Sequence, residues 1–257
     1  IYNFLMDQPF IAPLYFNSVN ASFVVLLFTL TFFIFDDFSR FYLHRLMHKL
    51  PFLWAFHRVH HSAETLTPFT IFRTHPVEGV LFVLRTALVQ GIVISSFTFL
   101  FGNKVDLFTI YGVNVAVVIF HGLGSNLRHS HIKIRYPKLV EFFLISPAQH
   151  QIHHSIKKCH YDKNFGVALA IWDYLFGSLH HSEPGEHQFG VKNYNNEHSI
   201  KTLLVTPFQL SFGAIMRQAS LISLRSDQLK KLTPLRRFFI VVLALTFSFG
   251  VLIQNAK

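Results

Sequence analysis

The sequence has little cysteine and little charge. Its single cysteine, Cys159, excludes an internal disulfide framework, and it contains neither a CxxC motif nor a Cys/His zinc-finger spacing. Charged residues make up only 14% of the chain and hydrophobic residues 51%, with a mean hydropathy of +0.37. This composition is too apolar for an average water-soluble globular protein, and it favours a protein that lies in a lipid bilayer.

Several catalytic motifs are also missing. The chain contains no GxGxxG fingerprint, P-loop or serine nucleophile elbow, so electrons for a redox reaction would have to come from a separate partner. No HExxH glutamate accompanies the histidines, which places zinc hydrolysis below other functions. The net charge of +10 could indicate nucleic-acid binding. Basic residues beside apolar segments are more typical of the cytoplasmic side of a membrane protein, however, and we expect no nucleic-acid partner.

Four apolar stretches are long enough to cross a bilayer, at about residues 19–35, 79–102, 107–124 and 238–254. Arg85, near the start of the second stretch, would extend toward the lipid headgroups. Most lysines and arginines lie in segments 36–76 and 125–236, which the positive-inside rule places in the cytoplasm. The sequence therefore predicts one all-α, multi-pass membrane domain over residues 1–257, with a histidine-rich helical cap that faces the cytoplasm.

Three short motifs contain eight of the 17 histidines. "HRLMH" begins at His44 and places two imidazoles four residues apart, on one face of a helix. "HRVHH" from His57 and "HQIHH" from His150 each predict a helical patch on which three imidazoles converge. The second of these follows Ser146, which with Gln149 forms a capping-box pattern at a helix start.

The eight imidazoles offer more nitrogen ligands than one metal ion takes, so two metal ions are expected. A single histidine on a helix is usually an ordinary core or surface residue. Three motifs that face the same compartment at the membrane edge point instead to a metal site. Imidazole suits iron, copper, nickel and zinc, so ligand type alone leaves the metal open.

The three motifs resemble the histidine boxes of the fatty acid hydroxylase and sterol desaturase superfamily of membrane di-iron enzymes. They match the HxxxH, HxxHH and HxxHH boxes in type and order, and the resemblance covers about residues 36–177. The segment "DKNFGVALAIWDYLFGSL" also looks like the stretch after the last box in alkylglycerol-monooxygenase-like and bacterial sterol-desaturase-like members.

The resemblance implies a four-helix membrane scaffold that holds two iron ions, which activate dioxygen and attack a C–H bond of a lipid. It also implies one ligand between the second and third boxes, for which "RHSH" offers His129. The implied metal ligands are His44, His48, His57, His60, His61, His129, His150, His153 and His154. The implied electron donor is a separate partner, such as cytochrome b5, a ferredoxin-type reductase or a pterin.

Other polar residues could be further ligands or could orient the ligands through hydrogen bonds. These are His75, His121, His131, His160, Asp162 and Asn164. We favour His129 over its neighbours because it lies eight residues after His121, nearly on one helix face, whereas His131 would point elsewhere if that helix continued. His75 could instead shape the entry to the second span, and Asp162 and Asn164 could merely form a turn. A polar stretch carries four histidines that we interpret as surface residues: His180, His181, His187 and His198.

Two functions from different classes remain open. The first is a lipid hydroxylase or desaturase, two reactions that share the same ligands. The second is a metal transporter or metal-storage protein, but a transporter should carry ionisable residues at the bilayer midplane. The histidine boxes lie outside the apolar stretches, which favours the oxidoreductase.

Overall fold

The computed structural model describes residues 19–192 and 199–230. Within these ranges the chain is helical, and its only strand-like pairings are two isolated antiparallel bridges. The α-helices are α1 (Ala21–Lys49), α2 (Pro51–His61), α3 (Pro76–Phe101), α4 (Leu107–Arg128), α5 (Lys138–Phe143), α6 (Pro147–His153), α7 (Ile171–Leu175), α8 (Ile200–Leu204) and α9 (Thr206–Lys230). Short 3₁₀ segments cover Pro68–Phe72, Gly102–Lys104 and Lys158–His160. The predicted all-α fold is confirmed for this part of the chain.

Helices α1, α3 and α4 are each long and apolar enough to cross a membrane. They cover nearly all of the predicted spans at 19–35 and 79–102 and the whole of the span at 107–124. The predicted span at 238–254 lies outside the described residues. Phe28 of α1 packs against Phe97 of α3, with ring centroids 5.3 Å apart. Many large apolar side chains on the outer faces of these helices are exposed, as expected for helices that contact lipid.

Helix α1 runs well beyond the predicted span. Its 29 residues begin after the N-cap Asn20, whose side chain accepts hydrogen bonds from the amides of Ser22 and Phe23. It ends at Lys49, and after the single residue Leu50 the next helix, α2, begins at Pro51. At 1.5 Å per residue, α1 is roughly 43 Å long, more than the ~30 Å hydrocarbon core requires. Its last turns can therefore present His44 and His48 outside the lipid.

Polar side chains at the cap end of the membrane helices pair with one another. Asp36 of α1 lies 2.7 Å from Arg40 and 2.8 Å from Arg85 of α3, and its carboxylate is 3.2 Å from Nε2 of His121 in α4. Arg85 is only 8% exposed, so our expectation that it extends toward the headgroups was wrong. A carboxylate on the neighbouring helix offers the guanidinium a nearer partner than the membrane surface.

The neighbouring residue, Asp37, joins α1 to the cap. Its buried carboxylate accepts hydrogen bonds from the backbone amides of Ala168 (2.9 Å) and Leu169 (3.0 Å) and from the indole N–H of Trp172 (2.9 Å). These donors lie more than 130 residues away along the chain. Asp37 therefore sets the position of the loop before α7 relative to the end of the membrane helix.

Candidate metal centre

Nine histidine side chains come together below the membrane helices, in two clusters. Cluster A comprises His44, His48, His57, His61 and His153, and cluster B comprises His60, His129, His150 and His154. In each cluster, one ring nitrogen of every member lies within 4.8 Å of the others. These are the nine residues that the sequence predicts as ligands. The structure brings all of them together from α1, α2, α6 and the end of α4.

Each HxxHH box is divided between the two clusters. The first and last histidines of a box, four residues apart, join one cluster, and the middle histidine joins the other. His60 is the middle histidine of α2 and belongs to cluster B, whereas His153 is the middle histidine of α6 and belongs to cluster A. The ring centroids within each box lie no more than 5.6 Å apart, so the predicted patch of three imidazoles forms in both boxes. Each patch nevertheless serves two clusters, because i+3 and i+4 positions diverge in angle on a helix.

The two clusters adjoin. The rings of His61 in cluster A and His154 in cluster B are stacked, with centroids 4.3 Å apart. The rings of His57 and His60 lie 5.5 Å apart. Two ions held in these clusters would thus be close neighbours, which is the arrangement needed for two metals to act on one small molecule.

Hydrogen bonds to backbone carbonyls fix the tautomer of three imidazoles. The bonds from Nδ1 are His44 to Phe165 (2.8 Å), His153 to Lys163 (2.8 Å) and His129 to Ser125 (2.7 Å). A carbonyl oxygen can only accept, so Nδ1 carries the proton in each ring. The lone pair of the neutral ring is then on Nε2, and metal-binding histidines are commonly held in this way.

The nitrogen atoms inside the clusters fit bound cations. In cluster A, buried Nε2 atoms without a hydrogen-bond partner among the described residues belong to His48, His57, His61 and His153. In cluster B, Nε2 of His129 lies 3.0 Å from Nε2 of His60 and 2.9 Å from Nε2 of His150. Buried polar atoms normally have partners, and converging imidazole nitrogens are the donor set that transition metals accept.

Burial lowers the pKa of imidazoles in both clusters. Loss of hydration lowers the pKa of His153 to about 3 and that of His129 to about 4. The hydrogen bond that each ring donates to a backbone carbonyl raises the pKa, but by less than burial lowers it. Burial and repulsion from neighbouring histidines also lower the pKa of His60, His61 and His154 well below the usual value. Neutral imidazole is the form that binds metal, so these five rings are in their ligating state near neutral pH.

These pKa values predict that the metal-free protein loses stability in mild acid. In the unfolded chain a histidine titrates near its ordinary pKa of 6.5, whereas folded His153 and His129 stay neutral to about 3 and 4. The unfolded state therefore binds more protons between these values, and the free energy of unfolding should fall as pH decreases from about 6.5 to 4. Thermal unfolding of chelator-treated protein across this range measures the effect. A flat profile would contradict the neutral, buried state of the histidines.

Glu78 is a site residue that sequence reasoning missed. It lies in the first turn of α3, is 4% exposed, and its carboxylate is 3.1 Å from Nδ1 of His57 in cluster A. A carboxylate beside the second nitrogen of a ligand imidazole orients the ring and increases its basicity. The signal in the sequence was an acidic residue immediately before the predicted span at 79–102.

A tight loop supports cluster A from the side of α7. The carboxylate of Asp173 accepts hydrogen bonds from the amides of Phe165 (2.8 Å) and Gly166 (2.6 Å), and the Phe165 carbonyl holds His44. At Gly166 there is no room for a side chain, because a Cβ would lie 2.7 Å from the carbonyl oxygen of Leu169 and 2.8 Å from Asp173. Gly166 thus allows its backbone to approach Leu169 and Asp173 closely, and this position of the backbone sets that of the neighbouring Phe165 carbonyl.

Gly166→Ala is therefore expected to destabilise the protein and disturb metal binding. Overpacking at a rigid site typically costs about 1–3 kcal/mol, and the backbone displaced here carries the partner of His44. Thermal unfolding and metal content of the purified variant measure both effects. Gly122→Ala in α4 is the matched control, since its Cβ would meet nothing within 4 Å. Equal stability of the two variants would refute this role for Gly166.

The structure places three other candidate histidines outside the clusters. His121 faces Asp36 of α1. His131 is exposed, because α4 ends at Arg128 and the continued helix assumed for it is absent. His75 caps α3: its Nδ1 accepts from the amide of Val77, and its Nε2 can then donate to the carbonyl of Leu204. With both ring nitrogens engaged, His75 shapes the entry to α3, the second of the two roles considered for it.

The remaining candidates lie beside the site rather than in it. Asp162 forms an ion pair with Lys49 (2.7 Å), and Asn164 donates to the carbonyl of Gln149 (3.0 Å). Asp162 lies in a turn, the second interpretation considered for it, and both residues have positive φ angles, 60° and 55°. This turn places the intervening Lys163 carbonyl, the partner of His153. His160 belongs to a separate group of side chains.

The capping box before the third histidine box is confirmed. The side chain of Ser146 accepts a hydrogen bond from the amide of Gln149, and the Gln149 side chain accepts from the amide of Ser146. Gln149 also donates to the Glu141 carbonyl (3.2 Å). These bonds fix the start of α6, from which three ligand candidates project.

Comparison with known proteins adds to this geometry. The profile of the family described as fatty acid hydroxylase matches residues 29–178, more than half of the chain. The chain belongs to the fatty acid hydroxylase family. The matched region begins in α1 and ends after α7, so it contains every residue of clusters A and B. No solved structure matches the chain significantly.

Curated relatives of this fatty acid hydroxylase family member act on lipids, according to their names. Alkylglycerol monooxygenase of Homo sapiens is 28% identical over 143 residues, 56% of this chain and 28% of the relative. The ornithine lipid hydroxylase of Rhizobium tropici is 30% identical over 60% of this chain and 43% of its own length. Lathosterol oxidase of Rattus norvegicus is 28% identical over 66% of this chain and 52% of its own length. The chain thus spans about half or less of these relatives.

Proposed function

We propose that clusters A and B each bind one iron ion and that the protein uses dioxygen and external electrons to hydroxylate or desaturate a lipid. The single observation that carries this proposal is the pair of adjoining, buried imidazole clusters at the end of three apolar helices. Membership of the fatty acid hydroxylase family and lipid-oxidising relatives support it. Bound iron would supply the activation of dioxygen that permits attack on an unactivated C–H bond.

A cavity of about 280 Å³ is the proposed site of the reacting lipid carbon. It borders histidines of both clusters and also Ile71, Phe82 and Val167, whose apolar side chains suit an acyl or sterol carbon chain. Arg40 and Arg128 line the same cavity and are the proposed contacts for a polar headgroup. These residues would position the substrate and exclude water from the reacting carbon.

A second cavity, of about 330 Å³, also borders cluster A and shares no lining residue with the first. It is lined by His48, His61 and His153 together with Trp54 and Tyr161. We assign this opening to the electron donor, whether cytochrome b5, a ferredoxin-type reductase or a pterin. In this arrangement the lipid and the reductant use cavities with different lining residues, so they need not compete for one entrance.

Untargeted lipid mass spectrometry of cells with and without the protein tests this function. We expect a lipid class that gains one oxygen atom, for hydroxylation, or loses two hydrogen atoms, for desaturation, when the protein is present. A Glu78→Gln variant should reduce the product while the protein is still made. If iron-replete cells show no lipid change and the purified protein contains only trace iron, the proposal is refuted. Metal flux into proteoliposomes would then favour the transporter.

We also propose that the cap faces the cytoplasm, because most basic residues lie in segments 36–76 and 125–236. The single cysteine provides a direct test, since Cys159 is exposed and lies in the cap. A membrane-impermeant maleimide should leave Cys159 unlabelled in intact cells and label it after permeabilisation. Cys159→Ser is the control for background labelling. Efficient labelling of intact cells would place the cap on the opposite side.

A further inference from the structure

A third group of potential ligands lies apart from clusters A and B. We propose that His160, His180 and Glu183 form a separate site for a divalent transition metal, zinc being the best match, which fastens two segments of the cap together. One nitrogen of each imidazole and one carboxylate oxygen lie within 4.8 Å of one another. Two imidazoles and one carboxylate are a known zinc ligand set, with water as the fourth ligand.

The tautomer of His180 leaves two hydrogen-bond acceptors facing each other. Its Nδ1 lies 2.8 Å from the carbonyl oxygen of His181, which can only accept, so Nδ1 carries the proton. In the neutral ring, Nε2 then carries a lone pair and can only accept, and it lies 3.3 Å from the carboxylate of Glu183. Two acceptors at this distance require a cation or a proton between them.

His160 has the properties of a ligand rather than of a surface residue. Its side chain is fully buried, and neither ring nitrogen has a hydrogen-bond partner among the described residues. Nε2 lies 3.6 Å from the carboxylate of Glu183. Burial lowers the pKa of His160, against the attraction of Glu183, so the ring tends to remain neutral. A metal ion would satisfy both the orphaned nitrogen and the carboxylate.

The side chains around the proposed site do not prevent an ion from binding there. Lys157 lies 3.5 Å from Glu183, but its side chain is 60% exposed and can turn to solvent. The ring of His187 lies 5.3 Å from that of His160 and could approach as a further ligand. His180 was expected to be a surface residue, yet it is half-buried and bonded to its neighbours.

The site would join the segment that follows the third histidine box to the segment that follows α7. The amide of His180 donates to the side chain of Asn164 (2.7 Å), and that side chain donates to the carbonyls of Gln149 and His180. The two segments are thus already in contact beside α6. A metal ion at His160, His180 and Glu183 would stiffen this junction without contacting the imidazoles of clusters A and B.

Zinc binding to paired variants tests the proposal. Wild-type protein and Glu183→Gln, a change of similar size at a part-exposed position, are purified in detergent, stripped of metal and dialysed against buffered Zn²⁺. We expect the wild type to retain one more zinc ion per chain than the variant. We also expect Zn²⁺ to raise the unfolding temperature of the wild type by more than that of Glu183→Gln. His160→Asn should show the same loss, whereas the exposed His131→Ala should match the wild type.

Equal zinc counts in wild type and folded Glu183→Gln would overturn the proposal and indicate a proton-mediated pair between His180 and Glu183. The test compares the zinc content of the wild type with that of Glu183→Gln, and clusters A and B are the same in both proteins. Its outcome therefore does not depend on whether clusters A and B bind metal, and a failure of the proposed lipid oxidation would leave this result interpretable.

Discussion

His60→Ala is expected to abolish lipid oxidation and to lower the iron content by about one ion per chain. His60 supplies one of the four imidazoles of cluster B and lies 3.0 Å from His129. Even partners of metal ligands typically contribute 10–100-fold to activity or affinity, so loss of a ligand should reduce activity by about 100-fold or more. Product formation in cells and the iron content of purified protein measure both effects.

Two further variants should give an intermediate effect and no effect, for comparison with His60→Ala. Glu78→Gln keeps every imidazole but weakens the partner of His57, so we expect an intermediate loss of about 10–100-fold. His131→Ala removes an exposed histidine outside both clusters and should behave as wild type. If His60→Ala retained full iron and full activity, cluster B would not be a metal site. If His131→Ala lost activity as severely, the effect would not be specific to the clusters.

Asp37→Ala is expected to prevent stable folding of the cap. The substitution leaves two backbone amides and the indole N–H of Trp172 without their buried acceptor. Each buried donor left unsatisfied costs about 1–3 kcal/mol, so the summed loss is a large fraction of the stability of a typical domain. The yield of folded protein in detergent, its unfolding temperature and its iron content should all fall sharply.

A second aspartate provides the control for Asp37. Asp106 also accepts a backbone hydrogen bond, from the amide of Thr109, but it caps α4 at the far end of the membrane helices and is exposed. Asp106→Ala should have a much smaller effect on unfolding and none on iron content. Asp37→Asn, which keeps one acceptor oxygen, should fall between the two. An unchanged unfolding temperature for Asp37→Ala would refute the proposed link between α1 and the cap.

Local patterns made part of this structure predictable. The positions of α1, α3 and α4 follow from apolar length, and the start of α6 follows from the capping box at Ser146. The nine candidate ligands were identified from box spacing and family resemblance, and all of them lie in clusters A and B. Spacing of three and four residues within one helix is a local property, so the sequence displays it directly.

Contacts between distant segments were not predictable in the same way. Asp36 and Asp37 stood at the end of an apolar stretch, where either could have been a solvated boundary residue. Their partners lie on α3, on α4 and in the loop before α7, and no local pattern links these positions. The division of each HxxHH box between two clusters depends on how α2 and α6 pack. The ligand set was thus accessible to sequence reasoning, whereas the assignment of ligands to individual metals was not.

The most direct test of this account is the location of bound metal in an experimental structure of the iron-loaded protein. Data collected at the iron absorption edge should show two anomalous peaks. One peak should lie among the imidazoles of cluster A and the other among those of cluster B. A single peak shared by both clusters, or none in iron-replete protein that is fully folded, would contradict the proposed two-iron centre.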